Sequence, residues 1–232
     1  MDGPVRGVTP GDQTAPVPEV ALVFAGGDPV PVAVQARLPG LALVIGADSG
    51  IEHAQALGRR VDIAIGDFDS VAPDALAAAT EAGAEVVRYP FDKDATDLEL
   101  ALDVATARGV SRITVVGGHG GRFDHYLANA LLLASPRFAA VEIDAWFGDT
   151  HVAVIRARTR LTGRTGSLVT LLAIHGPARG VTTTGLRFPL HDAVLLPGST
   201  LGVSNELVGV EAEISVAGGT VLGIQPDALE RS

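Results

Sequence analysis

Short apolar runs and helix-length amphipathic patterns alternate through the first half of the chain. Residues 20–25, 41–45, 61–65, 85–88 and 112–116 are brief, rich in Val, Ile and Leu, and stop at Gly or a polar cluster, which predicts buried strands. Between them, residues 51–57, 73–82, 97–108 and 125–133 carry helical spacing. The clearest start signal is at 97–108, where Thr96 and Glu99 form a Thr-x-x-Glu capping box and Gly109 stands at C′. Strands alternating with helices predict a three-layer α/β domain on a mostly parallel sheet.

From about residue 144 the pattern changes. Residues 146–158, 166–174, 180–184, 193–196, 207–216 and 220–224 are β-rich, and Gly, Pro and Asn punctuate them at about the 8–12-residue spacing of an all-β sandwich or barrel. Pro136 and the shift in composition put the boundary within 138–146. The expected organisation is a flexible leader over 1–18, an α/β catalytic domain over 19–142 and a β-sandwich over 143–232.

Composition narrows the function. With 232 residues, 47% of them hydrophobic and 19% charged, the chain can bury a core and is not of the disordered class. No apolar run approaches the roughly 20 residues that span a bilayer. Residues 1–18 have no apolar h-region and read as a leader rather than a secretory signal. There is no cysteine, which excludes disulfides, thiolate zinc sites and cysteine nucleophiles and fits a cytoplasmic protein. The net charge of −10 argues against a nucleic-acid surface. A small anion could still bind through an Arg, a backbone amide loop or a bridging metal. Lys93 is the only lysine, in a chain that otherwise uses Arg; a coding bias or a need for a compact ammonium would each explain it.

The unusual residues fall at the carboxyl ends of the predicted strands, where open α/β sheets bind ligands. These are Gly46-Ala47-Asp48-Ser49-Gly50, Gly66-Asp67-Phe68-Asp69-Ser70, Asp92-Lys93-Asp94-Ala95-Thr96-Asp97 and the loop from Gly117 through Arg122 to His125. Asp67 and Asp69, spaced i, i+2, lie on one side of an extended backbone. With Asp48 and Asp97 they make a self-repelling cluster that a cation would neutralise, and hard oxygen ligands favour Mg2+ completed by water and phosphate. Each Asp alone reads better as a turn residue, but acids on four loops of one rim favour metal binding; Asp97 also suits the first turn of a helix. Gly117, Gly118, Gly120 and Gly121 suit either a phosphate cradle or a plain glycine turn; Arg122 after them favours phosphate. His125 is either a helix N-terminal polar residue or a substrate contact. His119, His151, His175 and His191 stand isolated and read as surface or satisfied residues, and Trp146 as core.

In order along the chain, Ala47-Asp48-Ser49-Gly50, the Gly66–Ser70 motif, Lys93-Asp94-Ala95-Thr96-Asp97-Leu98-Glu99, and Gly120-Gly121-Arg122-Phe123-Asp124-His125 with Asn129 resemble the thiamine pyrophosphokinase family. Gly185-Leu186-Arg187-Phe188-Pro189-Leu190 and Ser204-Asn205-Glu206 resemble that family's second-domain signatures. The resemblance implies an α/β catalytic domain followed by a β-sandwich, and a homodimer that holds thiamine between the subunits. It also implies transfer of a pyrophosphoryl group from ATP to the thiamine hydroxyl with release of AMP. By position, Asp48, Asp67, Asp69 and Asp97 would take the Mg2+ roles, and Lys93 and Arg122 would meet phosphates alongside Asp94 and Thr96. Asp124, His125, Ser204 and Asn205 would contact thiamine. Ser49 stands where the family commonly has Gly, and Phe188 where it often has Trp. A pyrophosphokinase for another heterocyclic alcohol and a non-catalytic nucleotide-binding regulator are the competing readings, and the general base is left unassigned.

Overall fold

A computed structural model describes residues 18–90 and 94–229; the expected leader before residue 18 and Lys93 lie outside them. The first half builds β1 (Val20–Ala25), β2 (Leu43–Ala47), β3 (Ile63–Gly66), β4 (Glu85–Arg88), β5 (Arg112–Gly117) and β6 (Glu142–Phe147). They lie side by side in the order β4-β3-β2-β1-β5-β6, every pair parallel. All of β2 and β3 is buried, as befits parallel strands covered on both faces. The strands expected at 41–45 and 61–65 begin two residues later, since Leu41 is 84% exposed and the ladder starts only where both faces are covered.

Four helices join these strands: α1 (Gly50–Ala56), α2 (Pro73–Glu81), α3 (Asp97–Ala107) and α4 (Phe123–Leu133). Right-handed crossovers decide which face each one covers. The chain winds outward from β1 to β4, so Ile51 and Ala54 of α1 and Ala79 of α2 pack on one face with Leu22, Phe24 and Val44. It then returns across the sheet to β5, so Leu98, Ala101, Leu102 and Ala105 of α3 pack on the other with Val23, Ile45 and Ile113. The predicted cap of α3 is present: Thr96 is extended and its hydroxyl accepts from the Glu99 amide at 3.2 Å. The Glu99 carboxylate accepts from Arg137 at 2.7 Å, tying α3 to the turn after α4. No helix among the described residues is long and apolar enough to cross a membrane.

The second half adds β7 (Thr150–Ile155), β8 (Arg158–Thr162), β9 (Leu168–Thr184), β10 (Ala193–Leu195), β11 (Asn205–Glu206), β12 (Glu211–Ser215) and β13 (Gly218–Gln225). The expected boundary after residue 142 falls on the first residue of β6, and the sheet runs on through it: β6-β7-β13-β9-β12-β8, now antiparallel. The expected stretch 146–158 is a hairpin, because Gly148 (φ 62°) and Asp149 make a two-residue turn between Phe147 and Thr150. The stretches 166–174 and 180–184 are one strand, β9. Its first part pairs with β13 and its last with β12, and it turns the corner at His175, Gly176 and Gly180, all at positive φ. The two sheets it joins enclose a core that includes Ile155, Leu161, Leu171, Ile214 and Val221.

Leu102 is fully buried against the sheet in the helix that begins with Asp97. Leu102→Ala is expected to cost about 2–5 kcal/mol in urea unfolding. Because one sheet spans both halves, far-UV circular dichroism and tryptophan fluorescence should report the same midpoint in the wild type and in the variant.

Candidate active site

The strand order reverses between β1 and β5, and the crevice outside their carboxyl ends is where such sheets bind ligands. Asp48 follows β2 in a left-handed conformation (φ 49°), with its amide bonded to the Ile65 carbonyl at 2.8 Å. Gly50 then opens α1 so close to β1 that a Cβ there would lie 2.0 Å from the Phe24 oxygen; only glycine allows this approach. After β3, Phe68 is also left-handed (φ 64°). Asp67 and Asp69 therefore do not share a side of an extended strand, as the spacing suggested. A turn brings them together, with Asp67 Oδ1 accepting from the Asp69 amide at 3.2 Å. The Arg88 guanidinium covers the Phe68 ring at 4.8 Å.

Carboxylate oxygens of Asp48, Asp67 and Asp69 all lie within 4.8 Å of one another. Burial pushes the Asp48 carboxyl above its usual value against a hydrogen bond from the Ser49 backbone, and the charges of Asp97, Asp69 and Asp67 push it the same way as burial. Its Oδ1 is buried without a hydrogen-bond partner. An orphaned carboxylate oxygen among converging acids fits a hard divalent cation. Asp97 stands beside this group, its Oδ1 3.3 Å from where a Cβ on Gly66 would sit, but it is not among the three that converge. Thr96 is occupied in capping α3, and Asp94 is exposed just ahead of it.

Gly117, Gly118, Gly120 and Gly121 all have positive φ. Packing accounts for part of this: a Cβ on Gly117 would lie 2.3 Å from the Ala25 oxygen, and one on Gly120 would fall on the Asp28 carboxylate. Gly121 faces open space. The loop after β1 is thus a further wall of the crevice that the sequence reading did not single out, although Ala25-Gly26-Gly27-Asp28 ends a predicted strand as the other loops do. Asp28 donates its amide to the His119 carbonyl at 2.8 Å. His119 is neither a surface nor a satisfied residue: its Nδ1 is buried without a partner, and burial pushes the ring below its ordinary pKa. Of the other histidines, His151 is bonded to Asp144 at 3.1 Å, His175 meets the Leu131 carbonyl at 3.2 Å, and His191 is exposed. Arg122 is the N-cap residue of α4, and its exposed guanidinium forks onto Asp124, Nε to Oδ1 at 3.1 Å and Nη2 to Oδ2 at 2.6 Å. The two residues expected to meet different substrates therefore hold each other. His125 is exposed in the same first turn.

In the β half, Ser204 (φ 56°) is exposed and Asn205 is buried. The Asn205 amide is spent on main chain: Oδ1 accepts from the Phe188 and Glu206 amides at 3.0 and 2.9 Å, and Nδ2 donates to the Phe188 carbonyl at 2.7 Å. Asn205 thus fixes the segment that presents Phe188, which is 60% exposed with Arg187 over its ring at 5.4 Å.

A parallel α/β sheet with an acid cluster at the carboxyl ends of its strands, continued into a β-rich half, defines a two-part architecture of the α/β enzyme class. Comparison with known proteins narrows the class. The model of the thiamin pyrophosphokinase catalytic domain matches residues 36–145, and that of the thiamin pyrophosphokinase vitamin B1 binding domain matches residues 154–221. The chain belongs to the thiamine pyrophosphokinase family and is an enzyme of that activity. It is 29% identical over 185 residues to the thiamine pyrophosphokinase of Bacillus subtilis strain 168, covering 79% of this chain and 86% of that one. It is 30% identical over 158 residues to thiamine pyrophosphokinase 1 of Oryza sativa subsp. japonica, covering 62% of this chain and 58% of that one. The crystal structure of the Bacillus subtilis thiamine pyrophosphokinase superposes with a TM-score of 0.78 at 27% identity, over 89% of this chain and 98% of that one.

The Arg122 fork holds the Asp124 carboxyl down at about 2. In Arg122→Ala it should return toward the ordinary Asp value of about 3.9, read by an NMR pH titration of the side-chain carbonyl carbon. Asn205→Ala removes the partners of the Phe188 amide and carbonyl, and a loss of about 1–3 kcal/mol in chemical denaturation is expected.

Proposed function

We propose that this thiamine pyrophosphokinase carries out its reaction in the crevice bounded by Asp48, Asp67, Asp69 and Arg122. The overall change is attack by the thiamine hydroxyl on the β-phosphorus of ATP, giving thiamine diphosphate and AMP. The observation that carries the site assignment is the meeting of three carboxylates, one with an orphaned oxygen, at the carboxyl ends of β2 and β3.

In this reading Asp48, Asp67 and Asp69 hold Mg2+, with Asp97 at its edge on the first turn of α3. Bound there, the cation would neutralise phosphate charge as it spreads in the transfer. Arg122 stands on a helix N-terminus, beside the glycine loop, and a guanidinium pairs with phosphate oxygens through two parallel bonds. When it turns to phosphate, the Asp124 carboxylate is released toward a cationic acceptor. Gly117, Gly118, Gly120 and Gly121 line the approach, with Asp94 and Thr96 on the facing loop, and Lys93 belongs to that loop by sequence. On the β side Ser204 and the Asn205-braced Phe188 segment receive thiamine, with His125 near the entrance. The resemblance supports a homodimer in which the β half of one subunit faces the crevice of the other, and the absence of cysteine favours a cytoplasmic setting.

With ATP, thiamine and Mg2+, thiamine diphosphate and AMP should form in equal amounts, and EDTA should stop both. Asp67→Asn is expected to lower kcat by about two orders of magnitude or more with an unchanged melting temperature. Formation of ADP, or near-normal turnover in this variant, would overturn the assignment.

A further inference from the structure

One face of the continuous sheet is covered twice, by α1 and α2 over the first strands and by the second β sheet over β7, β9 and β13. Beside the second cover, where Arg37 faces Arg160 and Glu211, a cleft of about 720 Å3 opens, within the roughly 300–1,000 Å3 range of small-molecule sites. Its floor is polar and fully wired. Thr114 donates to Asp144 at 2.8 Å, and His151 Nε2 meets the other Asp144 oxygen at 3.1 Å. The Gln225 amide donates to the Thr162 carbonyl at 2.9 Å, which turns its oxygen toward His151 Nδ1 at 3.5 Å. The Trp146 ring lies 4.7 Å from the His151 ring.

The walls carry Arg37, Arg112, Arg160 and Arg164 against three carboxylates, Asp144, Glu211 and Asp227, in a chain of net charge −10. Two of these guanidinium groups sit loosely beside their acids, Arg112 at 3.8 Å from Asp144 and Arg160 at 3.5 Å from Glu211. Outside the cleft Arg108–Glu85 and Arg122–Asp124 close to 2.6 Å, while Arg158–Glu213 stands at 3.5 Å. Loosely held guanidinium groups keep their paired donors available for an incoming oxyanion.

We propose that this cleft is a second ligand site, for a small phosphate-bearing metabolite. It shares no residue with the acidic crevice, so its failure would leave the pyrophosphokinase reading untouched.

Trp146 is the only tryptophan in the chain, so its fluorescence reports on this cleft. The full-length protein in EDTA would be titrated with inorganic pyrophosphate and, separately, with ribose 5-phosphate. A saturable change in Trp146 emission is expected with at least one of them. The apparent Kd should weaken tenfold or more in the double variant Arg37→Ala, Arg160→Ala, whose side chains are exposed and whose removal should leave the fold intact. It should stay within twofold in Asp67→Asn. Two results would overturn the proposal: no saturable change with either probe, or a signal that Asp67→Asn abolishes and the arginine variant keeps.

Discussion

Parallel strands joined by helices cross over right-handedly, and that restriction sorts the whole catalytic half. Winding outward from β1 to β4 puts α1 and α2 on one face; the return to β5 puts α3 and α4 on the other. A sheet wound both ways has a point where the direction reverses, here between β1 and β5, whose following loops are bonded to each other, Gly118 to Gly26 and Asp28 to His119, each at 2.8 Å. The edge at which these loops gather is therefore a product of topology before it is a product of any particular side chain. Asp48 after β2, the Asp67–Asp69 turn after β3 and Asp97 beside them are chemistry placed along the opening at that edge, with the glycine loop following β5.

The opening is also where the chain concentrates electrostatic cost. Asp48 is partly desolvated, repelled by three neighbouring acids and left with a bare buried oxygen. A carboxylate so placed gains from a cation more than a surface carboxylate would, because less water competes for it. The backbone pays in kind, with left-handed Asp48 and Phe68 holding the acids where extended chain would not. In the β half the same division of labour appears in neutral form: Asn205 spends every polar atom on the main chain so that the neighbouring Phe188 stands rigid and exposed.

Much of this was legible in the sequence wherever the signal is local. Continuous apolar runs marked β1 to β5, the Thr96–Glu99 spacing marked the start of α3, and acids after strands marked the rim. What escaped depends on distant partners. The i, i+2 spacing of Asp67 and Asp69 pointed to convergence through the wrong geometry, since a left-handed Phe68 cannot be read from residue types. The role of Asn205 requires Phe188, seventeen positions away. The buried Nδ1 of His119 and the wall formed by Asp28 arise only when the loops after β1 and β5 meet. The corner in β9 was read as a gap between two strands, because glycines end a periodic pattern whether the chain stops pairing or merely changes sheets.

The place of β13 in the second half has a consequence for how the molecule comes to be made. This strand, last in chain order, lies between β7 and β9 and pairs with both. Until it arrives, β7 and β9 present unsatisfied edges with apolar residues behind them, the kind of surface on which nascent chains stick to one another. The β-rich half therefore cannot close progressively during synthesis, as the α/β half can. It must wait for β13 before β7 and β9 are joined.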